Sequence, residues 1–395
     1  MQKLKILQLL DTYYPIVDGP CNVVRNYSKN LNKDSVCKLA VPRAAKKEKY
    51  VDKEDFEVLR CRSISAPEKY QLGLPGSDKK FNNKIKQENF DIIHTHSPFT
   101  MGRYAIKRAK KQGVPCVATL HTQYDQDFIR VLKGFKPLVN FMMRYIMHTY
   151  HKADSVWTVN TASCEILRKY GYKGDIKVVK NGTDMVYPEN ATELINKVND
   201  AHGLHDQKNV LVYVGRLAMY KNLPLMASSL KILKDKGQDF KMLIVGGGYD
   251  EDAFKKMISE LGLDDKVIFV GTVKDRALLQ GYYLRSDLFL FPSSFDTCSL
   301  VPIEAAAHKL PTLLIDGSYT AEGITDGVNG FLAKETAEDY AEKIASILSA
   351  PETLKAVSEE CHKSVYRTWE MVAKEVYDKY QEVIKEYNEK CNVKS

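Results

Sequence analysis

Short β-rich runs alternate with longer helical patterns along almost the whole chain, and the alternation is interrupted once and then begins again. In the first half, Leu4–Leu10, Cys37–Val41, Phe56–Arg60, Asp91–His94, Cys116–Leu120, Ser155–Val159 and Ile176–Lys180 read as strands, with helices between most of them. After the turn dipeptide Asn181-Gly182 the pattern restarts with Val210–Val214, Lys241–Val245, Val267–Val270, Leu288–Phe291 and Thr312–Ile315. Helices are expected between these, near residues 223–236, 250–261, 275–284 and 302–308. Such alternation is the mark of parallel sheets covered by helices, so the fold expected is α/β, with two doubly wound domains. At 395 residues the chain is long enough for both. From Glu335 onward the pattern is purely helical, and Val372, Val376, Tyr377, Tyr380, Val383 and Ile384 make one apolar stripe.

Charge divides at the same place. Residues 1–184 carry 33 Lys and Arg against 18 Asp and Glu, whereas residues 185–395 carry 25 against 32, so the formal total of +8 hides two opposite halves. The expected boundary lies near residues 183–205. The expected domains are residues 1–184, residues 185–365, and a final helical segment, 366–395. A basic first domain points to an anionic surface such as nucleic acid or membrane. No RNA-binding signature accompanies the charge, which sets nucleic acid aside. The eight cysteines are scattered singly with no C-x-x-C pair, so neither a zinc ribbon nor a disulfide framework is expected. Met1-Gln2-Lys3 runs straight into a strand-length apolar run, unlike a signal peptide. The most apolar long stretch, Pro137 to Tyr150, is interrupted by Asn140 and Arg144, well short of the ~18 apolar residues of a spanning helix. A cytoplasmic protein is expected, with any membrane contact peripheral on the inner face.

In doubly wound sheets, ligands bind outside the carboxyl ends of the strands, so the chemistry belongs in the residues that follow each one. After Val214 come Gly215, Arg216 and, five residues on, Lys221: a sharp turn with two cations able to meet a diphosphate. After Phe291 the loop carries Asp296, and a helix starts near Pro302 with Glu304 inside it. These two carboxylates suit the hydroxyls of a sugar-like ligand, and backbone N–H groups at the helix entry suit phosphate. His121 ends a strand, and strand alternation puts His94 and His96 on one side. Three such histidines invite a zinc site, but no flanking Asp or Glu supports one, and no metal is expected. Val245-Gly246-Gly247-Gly248 lacks the G-x-G-x-x-G spacing of a dinucleotide fingerprint.

Taken in this order, the two clusters resemble the retaining glycosyltransferases of family four, which have the GT-B architecture of two Rossmann-like domains facing across a cleft. The family's pair of Glu residues with seven between them reads here as Asp296 and Glu304. The resemblance implies that Arg216 and Lys221 hold the donor diphosphate, Glu304 the ribose, Asp296 a hydroxyl of the transferred sugar, and His121 the sugar as well. His121, Arg216, Lys221 and Asp296 are the catalytic residues so implied, and Arg216, Lys221, Asp296 and Glu304, with Gly19, Gly215, Gly246, Gly247, Cys298, Ser299 and Leu300, make up the expected donor site. His94, His96 and Tyr124 lie on its acceptor side. Pro20 stands where a second Gly is common in the loop after the first strand, and it donates no backbone hydrogen bond. Tyr366-Arg367-Thr368-Trp369-Glu370 resembles the segment from which the last helix crosses back onto the first domain. A nucleotide-diphosphate sugar, UDP-linked in preference to GDP-linked, is the implied co-substrate, with no further cofactor. Transfer of a hexose to a hydroxyl with retention is the implied reaction. A nucleotide-sugar epimerase and a non-catalytic nucleotide-sugar-binding protein are the alternatives.

His94-Thr95-His96-Ser97-Pro98-Phe99 and His121-Thr122-Gln123-Tyr124 also resemble segments of bacterial diacylglycerol glucosyltransferases, which implies a lipid or lipid-linked glycan acceptor. Two stretches agree with that. Arg103, Lys107, Lys110 and Lys111 lie on one basic helix pattern, and Arg130, Lys133, Phe135 and Lys136 interleave cations with apolar groups. Each cation near an anionic leaflet contributes ~1 kcal/mol.

Overall fold

A computed structural model of the chain describes residues 3–16, 19–44, 50–65, 71–296 and 299–393, with the side chains of Gln126, Asp127 and Arg130 also left aside. Cys298, expected in the donor site, therefore lies outside the described residues, as does the side chain of Arg130. The chain divides into two units, Met1–Asn181 with Trp369–Ser395, and Gly182–Thr368.

The first unit contains β1 (Lys5–Leu9), α1 (Gly19–Asp34), β2 (Val36–Pro42), β3 (Glu57–Cys61), β4 (Ser63–Ser65), β5 (Gln71–Gly73), α2 (Lys79–Gln87), β6 (Ile92–Thr95), α3 (Thr100–Gln112), β7 (Cys116–Leu120), α4 (Tyr124–Val131), α5 (Lys136–Lys152), β8 (Ser155–Thr158), α6 (Thr161–Lys169) and β9 (Ile176–Val178). Among the described residues its main sheet has the order β3-β2-β1-β6-β7-β8-β9, with every pairing parallel. Strands β6, β7 and β8 are buried at every position, so they do not alternate apolar with exposed polar residues; the polar ones they carry, among them His94 in β6 and Thr119 in β7, are buried too. β4 and β5 form a small antiparallel ribbon apart from this sheet, too short to register in the sequence pattern. The strand order reverses between β1 and β6. There Asp11 accepts hydrogen bonds from Ser97 Oγ (2.7 Å), Thr100 Oγ1 (2.8 Å) and the Met101 N–H (3.0 Å), tying the end of β1 to the first turn of α3.

The second unit contains α7 (Ala191–His202), β10 (Val210–Val214), α8 (Leu223–Asp235), β11 (Lys241–Val245), α9 (Glu251–Glu260), β12 (Val267–Gly271), α10 (Arg276–Arg285), β13 (Leu288–Phe291), α11 (Val301–Ala307), β14 (Thr312–Ile315), β15 (Phe331–Ala333), α12 (Ala337–Leu348) and α13 (Pro351–Ser364). Its sheet is parallel throughout, in the order β12-β11-β10-β13-β14-β15, and reverses between β10 and β13. Alternate residues of one strand feed two cores. Leu211, Tyr213, Met242 and Ile244 pack with α8, α9 and α12 on one face. Val210, Val212, Leu243 and Val245 pack with α7, α10 and α11 on the other.

The stretch near residues 183–205, expected to be the boundary, is mostly body of the second unit. Its residues 191–202 form α7, which buries Leu194 and Val198. The chain passes between units at Asn181/Gly182 and again at Thr368/Trp369, and these two passages lie side by side: the Thr183 N–H donates to the Arg367 carbonyl at 2.8 Å. The final helix, α14 (Trp369–Asn392), belongs to the first unit, where Trp369, Val372, Ala373, Val376, Tyr380 and Val383 are buried. Trp369 meets the Tyr27 ring of α1 edge-on, and Tyr380 stacks on Trp157 of β8 with centroids 5.4 Å apart. Burial of each such side chain contributes about 1.5–3 kcal/mol, so α14 is core and not an appendage.

Candidate active site

In the second unit the reversal point brings together the loops that follow β10 and β13. The loop after β10 is laced to the turn after β11. Gly215 N–H donates to Val245 O (3.0 Å), Leu217 N–H to Gly247 O (3.1 Å), and Met219 N–H to the Asp250 carboxylate (2.8 Å). That contact explains the glycine-rich turn. A Cβ on Gly246 would stand 1.9 Å from the Gly215 carbonyl oxygen, and one on Gly248 2.0 Å from that of Leu217. Close packing of the two loops therefore demands these glycines.

The lacing sets Lys221 at the end of a single 3₁₀ turn, Met219–Lys221, just before α8. Its ammonium donates to both Asp296 carboxylate oxygens, at 2.8 and 2.9 Å. Asn222 Nδ2 and Ser294 Oγ both donate to Glu335 Oε1, at 2.8 and 2.9 Å, which joins the start of α8 to the loop after β13. Arg216 lies exposed in the same loop as Lys221, and Lys221 itself is turned onto Asp296. The exposed aromatic neighbours of the pair, Tyr220 and Phe295, meet edge to face with centroids 5.0 Å apart.

Glu304 is placed apart from Asp296, in the first turn of α11. Its carboxylate accepts from Tyr283 Oη (3.1 Å) and Arg276 Nη1 (3.5 Å), and its backbone carbonyl accepts from His308 Nδ1 at 2.7 Å. Burial raises the Glu304 carboxyl above its ordinary value, opposed by Arg276 and by the Tyr283 hydrogen bond. Burial likewise lowers His308 to about 4, so its Nδ1 proton belongs to a neutral ring. Ser299 Oγ accepts from the Val301 N–H at 3.4 Å, and Leu300 stands at the N-terminal cap of α11. Since α11 runs only from Val301 to Ala307, its dipole is short, and neutralising an anion here falls mainly to side chains. Arg276 and Tyr283 carried no signal in the sequence, because both reach Glu304 of α11 from α10, more than 20 positions away.

In the first unit the reversal point carries the histidines. His94 and His96 are wholly buried, and His121, just after β7, is partly open. His94 Nδ1 lies 2.6 Å from Tyr380 Oη and its Nε2 lies 2.7 Å from Thr119 Oγ1. His96 Nε2 lies 2.7 Å from Gln8 Oε1 and its Nδ1 lies 2.9 Å from His121 Nε2. All four ring nitrogens of His94 and His96 are thus engaged by other side chains and do not converge on one ion. Burial holds His94 and His96 well below their ordinary values and His121 at about 3, so all three rings are neutral near pH 7. Gln8, Thr119 and Tyr380 were missed in the sequence. Tyr380 read there only as one member of an apolar stripe.

Tyr124, first residue of α4, is buried within an aromatic group with Phe99 and Phe128. Gly19, expected in the donor site, opens α1 in the first unit and is exposed, while the other described donor candidates lie in the second unit. Arg103, Lys107, Lys110 and Lys111 all lie exposed on α3, and Arg103 covers the Tyr145 ring at 4.4 Å. Lys133, Phe135 and Lys136 are exposed around the start of α5. Among the described residues no helix is long and apolar enough to cross a membrane.

Two family models match the chain in succession, Glycosyltransferase Family 4 over residues 19–186 and Glycosyl transferases group 1 over residues 195–364, together covering most of its length. The chain belongs to the family-four glycosyltransferases. Among curated relatives, the transferase is 25% identical to an alpha-monoglucosyldiacylglycerol synthase of Acholeplasma laidlawii, over 97% of this chain and 98% of that one. It is 26% identical to the enzyme of the same name from Streptococcus pneumoniae, over 83% and 75%. Among solved structures, Anabaena HepE in complex with UDP superposes with a TM-score of 0.76 at 17% identity, covering 96% of this chain and 100% of that one. Sucrose-phosphate synthase of Thermosynechococcus elongatus superposes with a TM-score of 0.78 at 18% identity, covering 96% and 99%. The fold is the GT-B type expected, and the epimerase alternative finds no support in these matches.

Proposed function

We propose that the transferase moves a hexose from a nucleotide-diphosphate sugar, UDP-glucose in preference to a GDP-sugar, to a hydroxyl of a lipid or lipid-linked glycan, with retention at the anomeric carbon. The observation that carries this reading is the Lys221–Asp296 pair at the reversal point of the second sheet, with Glu304 beside the same loop. An arriving diphosphate competes for the Lys221 ammonium. Lys221 and Arg216 then neutralise the charge that grows on the leaving phosphate as the anomeric C–O bond breaks. Asp296, released from Lys221, accepts from a hydroxyl of the sugar, and Glu304 accepts from the ribose. The acceptor oxygen bonds to the anomeric carbon from the face the phosphate leaves, and its proton passes to a phosphate oxygen. The roles of Arg216, Lys221, Asp296, Glu304 and His121 are carried from the family resemblance.

A lipid acceptor has separate support. Ile129, Val131, Phe135, Leu138 and Phe141 are exposed around the α4–α5 connection, with Lys133 and Lys136 among them. Between residues 92 and 153 only Asp125 and Asp127 are acidic. His148 of α5 is lowered by burial and then by Arg103, Lys152 and His151, which marks how closely cations gather there. Apolar groups beside cations suit the interface of an anionic leaflet. The test is to incubate the protein with UDP-glucose and vesicles containing diacylglycerol, with and without anionic lipid. A glucolipid of α configuration, formed faster on anionic vesicles, is the expected product. No transfer from any UDP-, GDP- or ADP-sugar, or a β-linked product, would overturn the reading.

A further inference from the structure

Tyr380, Gln8, His96 and His121 form an unbroken line of hydrogen bonds, and its proton order follows from the bond lengths. The Tyr380 hydroxyl has His94 Nδ1 at 2.6 Å and Gln8 Nε2 at 2.9 Å. A phenol has one proton to give. The shorter contact has the length of an O–H donor and the longer that of an N–H donor. Tyr380 therefore donates to His94, and the Gln8 amide N–H donates to Tyr380. That orientation turns the Gln8 carbonyl toward His96 Nε2, 2.7 Å away. A carbonyl only accepts, so His96 carries its proton on Nε2. As a neutral ring it then has a bare Nδ1, which must accept from His121 Nε2 at 2.9 Å. Burial keeps all three rings neutral, which limits each to one N–H.

We propose that Tyr380, on the C-terminal helix, is a positioning residue: through Gln8 and His96 its single hydroxyl proton fixes His121 as the Nε2–H tautomer and leaves His121 Nδ1 as a hydrogen-bond acceptor for a substrate hydroxyl. Reversing every bond in the line would make Nδ1 a donor, suited to a phosphate or ether oxygen. The tautomer thus decides which kind of oxygen His121 recognises. The identity of the hydroxyl rests on the transferase reading above; the tautomer does not.

The test uses the full chain labelled with ¹⁵N-histidine. Long-range ¹H–¹⁵N correlation at pH 7 reads the tautomer, with His121 assigned by its absence in His121→Gln. An Nε2–H pattern for His121 is expected, and an Nδ1–H pattern would overturn the proposal without any substrate or variant of Tyr380. Tyr380→Phe keeps the ring and removes the proton, which frees the Gln8 amide to turn. Both His121 tautomers should then be populated, and kcat should fall roughly tenfold with donor KM unchanged, the loss of about one hydrogen bond. If Tyr380→Phe fails to fold, Gln8→Leu cuts the line one link further on and carries the same expectation. An unchanged tautomer in either folded variant overturns the proposal. If the Nε2–H tautomer is found and no donor supports transfer, the transferase reading fails and the assignment of Tyr380 stands.

Discussion

The two sheets reverse their strand order in the same way, yet the residues at the two reversal points are chemically opposite. In the first unit, the more basic half of the chain, the strand ends hold, beside the Asp11 carboxyl, a set of neutral, buried groups: His94, His96, Gln8 and Thr119, tied to one another and to Tyr380. In the second unit, the more acidic half, they hold ion pairs, Lys221 with Asp296 and Arg276 with Glu304. The charge of a domain therefore reports its surface and not its site. A hydroxyl acceptor needs directed hydrogen bonds, which a neutral network supplies without attracting counter-ions. A departing diphosphate needs positive charge where negative charge develops.

The contrast is broken most sharply at Lys221. Lys221→Ala should lower kcat/KM on the order of 10²–10³-fold with the thermal midpoint little changed, the effect expected of the charge proposed to act on the leaving phosphate. Near-normal turnover in steady-state assays would place the ion pair outside the chemistry. Glu304→Gln keeps the shape and removes the charge. It should raise donor KM by roughly tenfold to a hundredfold, in proportion to one charge-assisted hydrogen bond, and leave the tautomer of His121 untouched. A kcat effect with unchanged donor KM would mean that Glu304 does not hold the nucleotide.

Acid should separate the two units more gently. His121 falls from the ordinary 6.5 to about 3 in the folded chain, and His94 and His96 fall in the same direction. Below 6.5 the unfolded chain takes up protons that the folded chain refuses, so stability is lost as pH falls through that window. Each such histidine contributes up to about 1.4 kcal/mol per pH unit. Asp11 in the first unit and Glu304 in the second are raised by burial and act the other way, their contribution being present at low pH and lost as pH rises through their folded values. His308 brings a smaller share of the histidine effect to the second unit. Hydrogen exchange at pH 7 and pH 5 should therefore show β6, β7 and α14 losing more protection than β10 and β13. Equal loss in both would contradict the neutral character of the first network.

Much of the fold is legible in the sequence, and for an identifiable reason. Strands buried on both faces are apolar at most consecutive positions, so β10 and β13 stand out as unbroken runs, and β1 and β7 as runs interrupted only by Gln8 and Thr119 after their first residues. β15, with three residues, and α7, with its mixed polar surface, do not. Arg216, Lys221, Asp296 and Glu304 could be singled out as candidates because they lie in, or just beyond, the loops that follow β10 and β13. Gln8 and Tyr380 were not, because 372 positions separate them and neither is remarkable among its chain neighbours. Arg276 escaped in the same way, meeting Glu304 across 28 positions. Periodicity reports which face of an element is buried; it does not report which polar group waits there.

The placement of α14 has a consequence for how the protein is made. The first unit begins at the start of the chain, yet Trp369, Tyr380 and Val383 complete its core. During synthesis the second unit, continuous from Gly182 to Thr368, can finish folding while the first still lacks a helix. A ribosome that stops early releases a protein able to close its second sheet but with no phenol at the end of its histidine line. Translation through α14 is thereby built into the assembly of the first unit.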